Sequence, residues 1–94
     1  MSAADNALAY SYTHINTATT TVVRAYPGVL HTVIVNTPVA SGTVTIYDNT
    51  AASGTIIAVI SSATFEGTLT FDVFCTTGIT VVTNGTSDIT VTVK

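Results

Sequence analysis

Few side chains in this sequence could carry out chemistry, and they lie far apart along the chain. The chain holds two histidines, His14 and His31, and one cysteine, Cys75. A metal site needs three or four converging ligands, and neither histidine has a second His, Cys or carboxylate at ligand spacing in its own predicted strand. We therefore expect no metal site and no cofactor, and we interpret both histidines as surface or hydrogen-bonded residues.

Cys75 is a candidate nucleophile. It could meet His31 in the folded chain, since distance in sequence does not prevent contact. However, Cys75 continues an alternating apolar pattern through Leu69, Phe71 and Val73, and this pattern predicts a buried, unreactive thiol.

Catalysis by paired carboxylates would require two acidic residues to converge. Three of the five lie at expected turns or near the N-terminus, where Asp is favoured because its short side chain bonds local backbone. The five are Asp5, Asp48, Glu66, Asp72 and Asp88. We assign no catalytic residue, and the sequence predicts that the protein is not an enzyme.

The aromatic residues are the other group that could form a binding site. Tyr10 and Tyr12 share one side of the first predicted strand, and Phe74 stands on the otherwise polar side of a later strand. We interpret these side chains as core or interface packing. The alternative is a glycan-binding module that uses Tyr10, Tyr12 or Tyr47 as a platform.

The composition restricts both the fold and the partners. Thr, Val and Ile make up 42 of the 94 residues, and these β-branched side chains favour strands over helices. Arg24 and Lys94 are the only basic residues beside five acidic ones, so the chain cannot form the basic stripe that nucleic acid or an anionic membrane requires. We expect no nucleic-acid partner and no membrane partner.

Eight runs of period-two alternation are separated by Gly, Pro, Asn and Ser. They predict strands at residues 8–14, 19–26, 29–36, 43–47, 55–60, 68–75, 79–83 and 89–93. Asn84-Gly85 favours a hairpin between the last two strands, and Lys94 is typical of a charged residue that protects a sheet edge. The prediction is a single all-β domain over residues 1–94, a β-sandwich of about eight short strands and of the jelly-roll or immunoglobulin-like kind.

We expect no secretion signal in the N-terminal segment. Residues 1–7 contain neither a basic region nor an apolar run of 7–15 residues, and we expect them to form a flexible arm. A lone cysteine cannot form an intramolecular disulfide. Both features indicate synthesis and folding in a reducing cytoplasm.

Three segments of the sequence form a distinctive set: GVLHTV at 28–33, GTVTIYDNTAASGT at 42–55 and FDVFCTTGITVVT at 71–83. On these segments, and over Gly28 to Lys94, the chain resembles small structural proteins of tailed bacteriophages. The resemblance implies a non-enzymatic virion protein made in the host cytoplasm. It implies a capsid decoration protein on the outer surface of the major capsid lattice, with a tail or fibre-associated protein as the alternative.

The scarcity of charge favours an assembled state. Edge strands of a freely soluble sandwich are normally protected by Lys or Glu, and most of the predicted strands carry neither. We therefore expect a homo-oligomer, a trimer or a dimer, in contact with the major capsid protein. The predicted interface residues are Tyr10, Tyr12, Thr55, Ile57, Val59 and Phe74.

Overall fold

The computed structural model describes residues 9–61 and 66–94. The arm expected at residues 1–7, and Leu8 at the start of the first predicted strand, lie outside the described residues. In the part that is described, no helix is long and apolar enough to cross a membrane.

All eight predicted strands are present, with ends that differ from the prediction by a few residues. They are β1 (Ser11–Ile15), β2 (Thr19–Arg24), β3 (Gly28–Thr37), β4 (Thr43–Tyr47), β5 (Ile56–Ser61), β6 (Gly67–Cys75), β7 (Ile79–Asn84) and β8 (Asp88–Val93). The β-branched residues therefore form strands, as their conformational preference predicts. The predicted all-β sandwich is confirmed.

The strands form two antiparallel four-stranded sheets. The first sheet has the order β1-β8-β3-β6, and the second sheet has the order β2-β7-β4-β5. β1 pairs with β8, β2 with β7, β3 with β6 and β4 with β5, as in a long two-stranded ribbon rolled into a sandwich. This order is that of a jelly roll and differs from the immunoglobulin arrangement of strands.

The core lies between the two sheets and is almost purely aliphatic. Alternate residues of the central strands point into it, and burial of each such side chain is worth roughly 1.5–3 kcal/mol. The buried hydrophobic residues are Ile15, Leu30, Val33, Val35, Val44, Ile46, Ile60, Cys75, Ile79, Val81, Ile89, Val91 and Val93. The inward side of β8 is thus Ile89, Val91 and Val93, as the alternation predicts.

The prediction of a hairpin between the last two strands is wrong. β7 lies in the second sheet and β8 in the first, so the connection at residues 85–87 crosses from one sheet to the other. Gly85 has a φ of 114°, and a Cβ there would lie 3.1 Å from Val39. Asn84-Gly85 therefore supplies the positive φ of a tight reversal, but this reversal joins two sheets instead of two neighbouring strands.

Lys94 does not protect an edge either. β8 lies between β1 and β3, and the backbone of Lys94 exchanges hydrogen bonds of 2.8 and 2.9 Å with Val29. The edges are β1 and β6 in the first sheet and β2 and β5 in the second. A charged residue at the end of the sequence could not reveal that the last strand is internal.

Candidate functional site

The outer side of the first sheet carries a group of aromatic rings, which we call the aromatic face: Tyr10, Tyr12, His31 and Phe74. Ser11 pairs with Val93, so Tyr10 and Lys94 lie side by side at the same end of the sheet. Val29, which pairs with Lys94, also pairs with Phe74. The rings thus extend from edge strand β1 across to edge strand β6.

These rings are unusually open to solvent for aromatic side chains. Tyr12 is 76% exposed, Phe74 65% and Tyr10 46%. Aromatic side chains are enriched in the cores of protein interfaces because burying a rigid ring removes much apolar surface from water at little entropic cost. The exposed rings therefore represent apolar area that a partner could cover.

Tyr10 is held in place by its neighbours. Its ring stacks on the imidazole of His31, with centroids 3.9 Å apart and an interplanar angle of 10°. The Lys94 ammonium lies 5.5 Å from the Tyr10 centroid, and Nδ1 of His31 hydrogen-bonds to the carboxylate of Asp72. The aromatic face is consequently preorganised in part, because the position of Tyr10 is fixed before any partner arrives.

Irregular pairing places His31 and Asp72 opposite each other. The register of β3 with both β6 and β8 shifts between Leu30 and Thr32, which leaves His31 out of the regular ladder. Asp72 has a φ of 50°, a left-handed conformation that is uncommon outside glycine but tolerated by Asp. The bulge turns both side chains outward, where they meet beside Tyr10.

The opposite end of the same outer surface is polar. His14 Nε2 lies 2.6 Å from Oδ1 of Asp88, and Asn36 Nδ2 donates to the same oxygen at 2.9 Å and to Thr90 Oγ1 at 3.1 Å. The hydrogen bonds from Asn36 and His14 lower the pKa of Asp88. Both histidines are thus hydrogen-bonded surface residues, as the sequence predicts.

Among the described residues, the Asp48 carboxylate accepts more hydrogen bonds than any other carboxylate. Its oxygens accept from the backbone N–H groups of Thr76, Thr77 and Gly78 at 3.0, 2.9 and 3.3 Å, and from the Thr76 hydroxyl at 3.1 Å. The bonds from the Thr76 and Thr77 amides lower the pKa of Asp48. The carboxylate ties the end of β4 to the connection between β6 and β7, so this part of the YDNT segment stabilises the fold.

Asn49 closes the loop that follows. Its Nδ2 donates to the Ser53 carbonyl at 2.8 Å, and its own carbonyl accepts from the Thr80 hydroxyl at 2.8 Å. Gly54, with a φ of 87°, ends the loop where a side chain would be strained. The segment DNTAASG therefore forms a loop that is closed by a hydrogen bond from the Asn49 side chain to the loop backbone.

Cys75 and His31 do not form a nucleophile pair. Cys75 is 1% exposed, and burial raises the pKa of its thiol, with a further increase from the charge of Asp48. The His31 ring contacts Tyr10 and Asp72 instead. Among residues 9–61 and 66–94, no three His, Cys, Asp or Glu side chains come close enough to hold a metal ion.

The structure separates the predicted interface residues into two groups. Tyr10, Tyr12 and Phe74 share the outer side of the first sheet, whereas Thr55, Ile57 and Val59 lie at or just before β5 in the second. Ile57 packs partly against the core, while Val59 is 63% exposed. Tyr47, named for the glycan alternative, is half-buried in β4 and does not join the aromatic face.

Sequence reasoning missed the contribution of His31 and Asp72 to this surface. They are 41 positions apart and meet only because β3 pairs with β6. No local pattern marks such a pair; knowledge of the strand order would have been needed.

Comparison with known families and with curated proteins gave no match for this chain.

Proposed function

We propose that the protein is a non-enzymatic structural component of a bacteriophage virion, a capsid decoration protein that binds the outer surface of the major capsid lattice through the aromatic face. The observation that carries the proposal is the exposure of Tyr12, Phe74 and Tyr10 on one side of one sheet. Resemblance of residues 28–94 to small phage structural proteins supplies the virion context. The jelly roll, an architecture that viral capsid domains also use, agrees with it by analogy alone.

The chemistry of the aromatic face suits a protein partner. Tyr, Phe and His side chains surrounded by Thr offer apolar area with scattered hydrogen-bonding groups, which is the composition of an interface core. The charged groups near these rings, Lys94 and Asp72, already contact Tyr10 and His31. Docking on a capsid lattice would thus desolvate only these two charged groups near the rings.

The direct test is binding of purified protein to capsids that lack it, measured by cosedimentation. Tyr12→Ala and Phe74→Ala should each weaken binding by about 2 kcal/mol, roughly 30-fold, if these rings are interface anchors. Tyr26→Ala is the matched control, because Tyr26 is 61% exposed but lies in the connection between β2 and β3. Unchanged binding by both aromatic-face variants would refute the assignment of the aromatic face as the capsid-binding surface. Binding to tails and not to capsids would identify the protein as a tail component instead.

One observation favours a second candidate, a glycan-binding module. The fixed Tyr10–His31 stack lies beside the open ring of Tyr12, and the carboxylate of Asp72 is 55% exposed. Sugar rings stack on aromatic faces while their hydroxyls bond to neighbouring polar groups. Glycan-array binding that disappears in Tyr12→Ala and persists in Tyr26→Ala would support this function instead of capsid binding.

A further inference from the structure

β5 is the outermost strand of the second sheet and differs from the other edges of the sandwich. It pairs with β4 on one side, and no strand of the described chain covers its other side. None of its six residues, Ile56–Ser61, is charged. Ile56 is 51% exposed and Val59 is 63% exposed, so within the described residues the strand presents apolar side chains along an edge that no other strand pairs with.

Two of the other three edge strands contain a charged residue or a bulge, and the third, β1, carries the hydrogen-bonded ring of His14. β2 ends in Arg24 after a register shift, and β6 contains the bulge at Asp72. Charges and bulges of this kind keep strand edges from adding a further strand. β5 has a register shift only near its start, opposite Ile46 and Tyr47, and is regular from Ala58 to Ser61.

The side-chain directions along β5 restrict how the strand could pair with itself. Ala58 and Ile60 contact the core, whereas Val59 between them points outward. In an antiparallel pair, directly opposed residues lie on the same face of the sheet. A two-fold axis beside Val59 meets this condition, because it places Val59 opposite Val59 of a second copy and Ala58 opposite Ile60.

We propose that two copies of this chain pair through β5, antiparallel and around a two-fold axis beside Val59, so that two four-stranded sheets join into one of eight strands. We take a second copy as the partner, because β5 carries none of the chain's net charge of −3 and two copies meet there without like charges in contact. Two-fold pairing also lets one strand satisfy the open backbone groups of its twin. The dimer goes beyond the proposed function and uses the other sheet, so loss of one need not affect the other.

Pairing of single short strands buries little area, which places the dimer at the weak end of specific interfaces. We expect a dissociation constant of roughly 10 µM to 1 mM. Sedimentation equilibrium of the wild-type protein should therefore show a monomer–dimer equilibrium in this range. A protein that stays monomeric up to about 1 mM would overturn the proposal.

Val59→Lys tests the edge itself. Two ammonium groups would face each other at the axis, and the dimer should weaken at least about tenfold. Val22→Lys is the matched control, because Val22 is a 46% exposed valine on β2, the opposite edge of the same sheet, and should leave dimerisation unchanged. A Val59→Lys protein that folds by circular dichroism and dimerises like the wild type would refute the role of β5.

A cysteine pair tests the register. Val59→Cys should form a disulfide-linked dimer on mild oxidation, seen on a non-reducing gel, because the two side chains are directly opposed at the axis. Val22→Cys should remain monomeric, and Cys75 is buried and should not contribute. Equal crosslinking of the two variants, or none in Val59→Cys, would overturn the proposed axis.

Discussion

The carboxylate of Asp48 accepts more hydrogen bonds than any other carboxylate among the described residues. Four donors from residues 76–78 surround it, and its pKa is lowered because they favour the charged form. A carboxyl with a lowered pKa stabilises the folded state above its unfolded pKa, near 3.8. This contribution is lost as the pH falls through the still lower pKa of the folded state.

Asp48→Asn should therefore reduce the free energy of unfolding at pH 7, and its stability should converge on that of the wild type as the pH approaches 2. Urea unfolding at a series of pH values measures the difference. Glu66→Gln is the control, because this exposed carboxylate lies just before β6, away from the end of β4. A constant difference between Asp48→Asn and wild type across the pH range would contradict the charge-based explanation.

The connection between β6 and β7 is also closely packed at Gly78. A Cβ at this position would lie 2.8 Å from the carbonyl oxygen of Arg24 and 3.0 Å from that of Asn49, both of them backbone atoms. Gly78→Ala should destabilise the protein by about 1–3 kcal/mol in urea unfolding. Thr77→Ala, at the exposed neighbouring position, controls for general effects on the loop; a smaller loss in Gly78→Ala than in Thr77→Ala would contradict the close approach.

At the level of elements, strand positions followed from the sequence but strand partners did not. Alternation of β-branched residues identified all eight strands because side-chain direction in a strand depends only on neighbouring positions. The pairing of β7 and β8 was mispredicted, since Asn84-Gly85 has the same local chemistry whether a reversal stays within a sheet or crosses between sheets. The aromatic face was predicted in part: Tyr10, Tyr12 and Phe74 were named, but His31 and Asp72 depend on the β3–β6 pairing.

The difference between central and edge strands gives a prediction about stability. Ile46 on β4 is completely buried, whereas Val22 on edge strand β2 is 46% exposed. Ile46→Ala should cost about 2–5 kcal/mol because it leaves a cavity between the sheets, and Val22→Ala less than about 1 kcal/mol. Chemical denaturation at low protein concentration measures both, and similar losses would contradict the assignment of the core.

At the level of the whole molecule, the two sheets present different surfaces. The first sheet carries the aromatic face, and the second ends in the uncharged edge of β5. A dimer through β5 would leave both aromatic faces accessible, so each dimer could bind two sites on a repeating lattice. Such bivalent attachment would raise the apparent affinity without any new contact.

The scarcity of charge on both surfaces predicts that capsid binding responds weakly to salt. Screening mainly affects interactions between exposed charges, and the aromatic face contributes few that are unpaired. Affinity measured by cosedimentation should change by less than about threefold between roughly 50 mM and 500 mM salt. A steep loss of binding with salt would indicate that charged residues elsewhere make the contact.

Under the proposed function, the protein lies on the outside of a capsid lattice with its first sheet against that lattice. Electron cryomicroscopy of virions that carry the protein would show this arrangement. We expect jelly-roll density on the outer capsid surface, with Tyr12 and Phe74 at the contact. An outer surface without this density, or density in which the first sheet faces solvent, would contradict it.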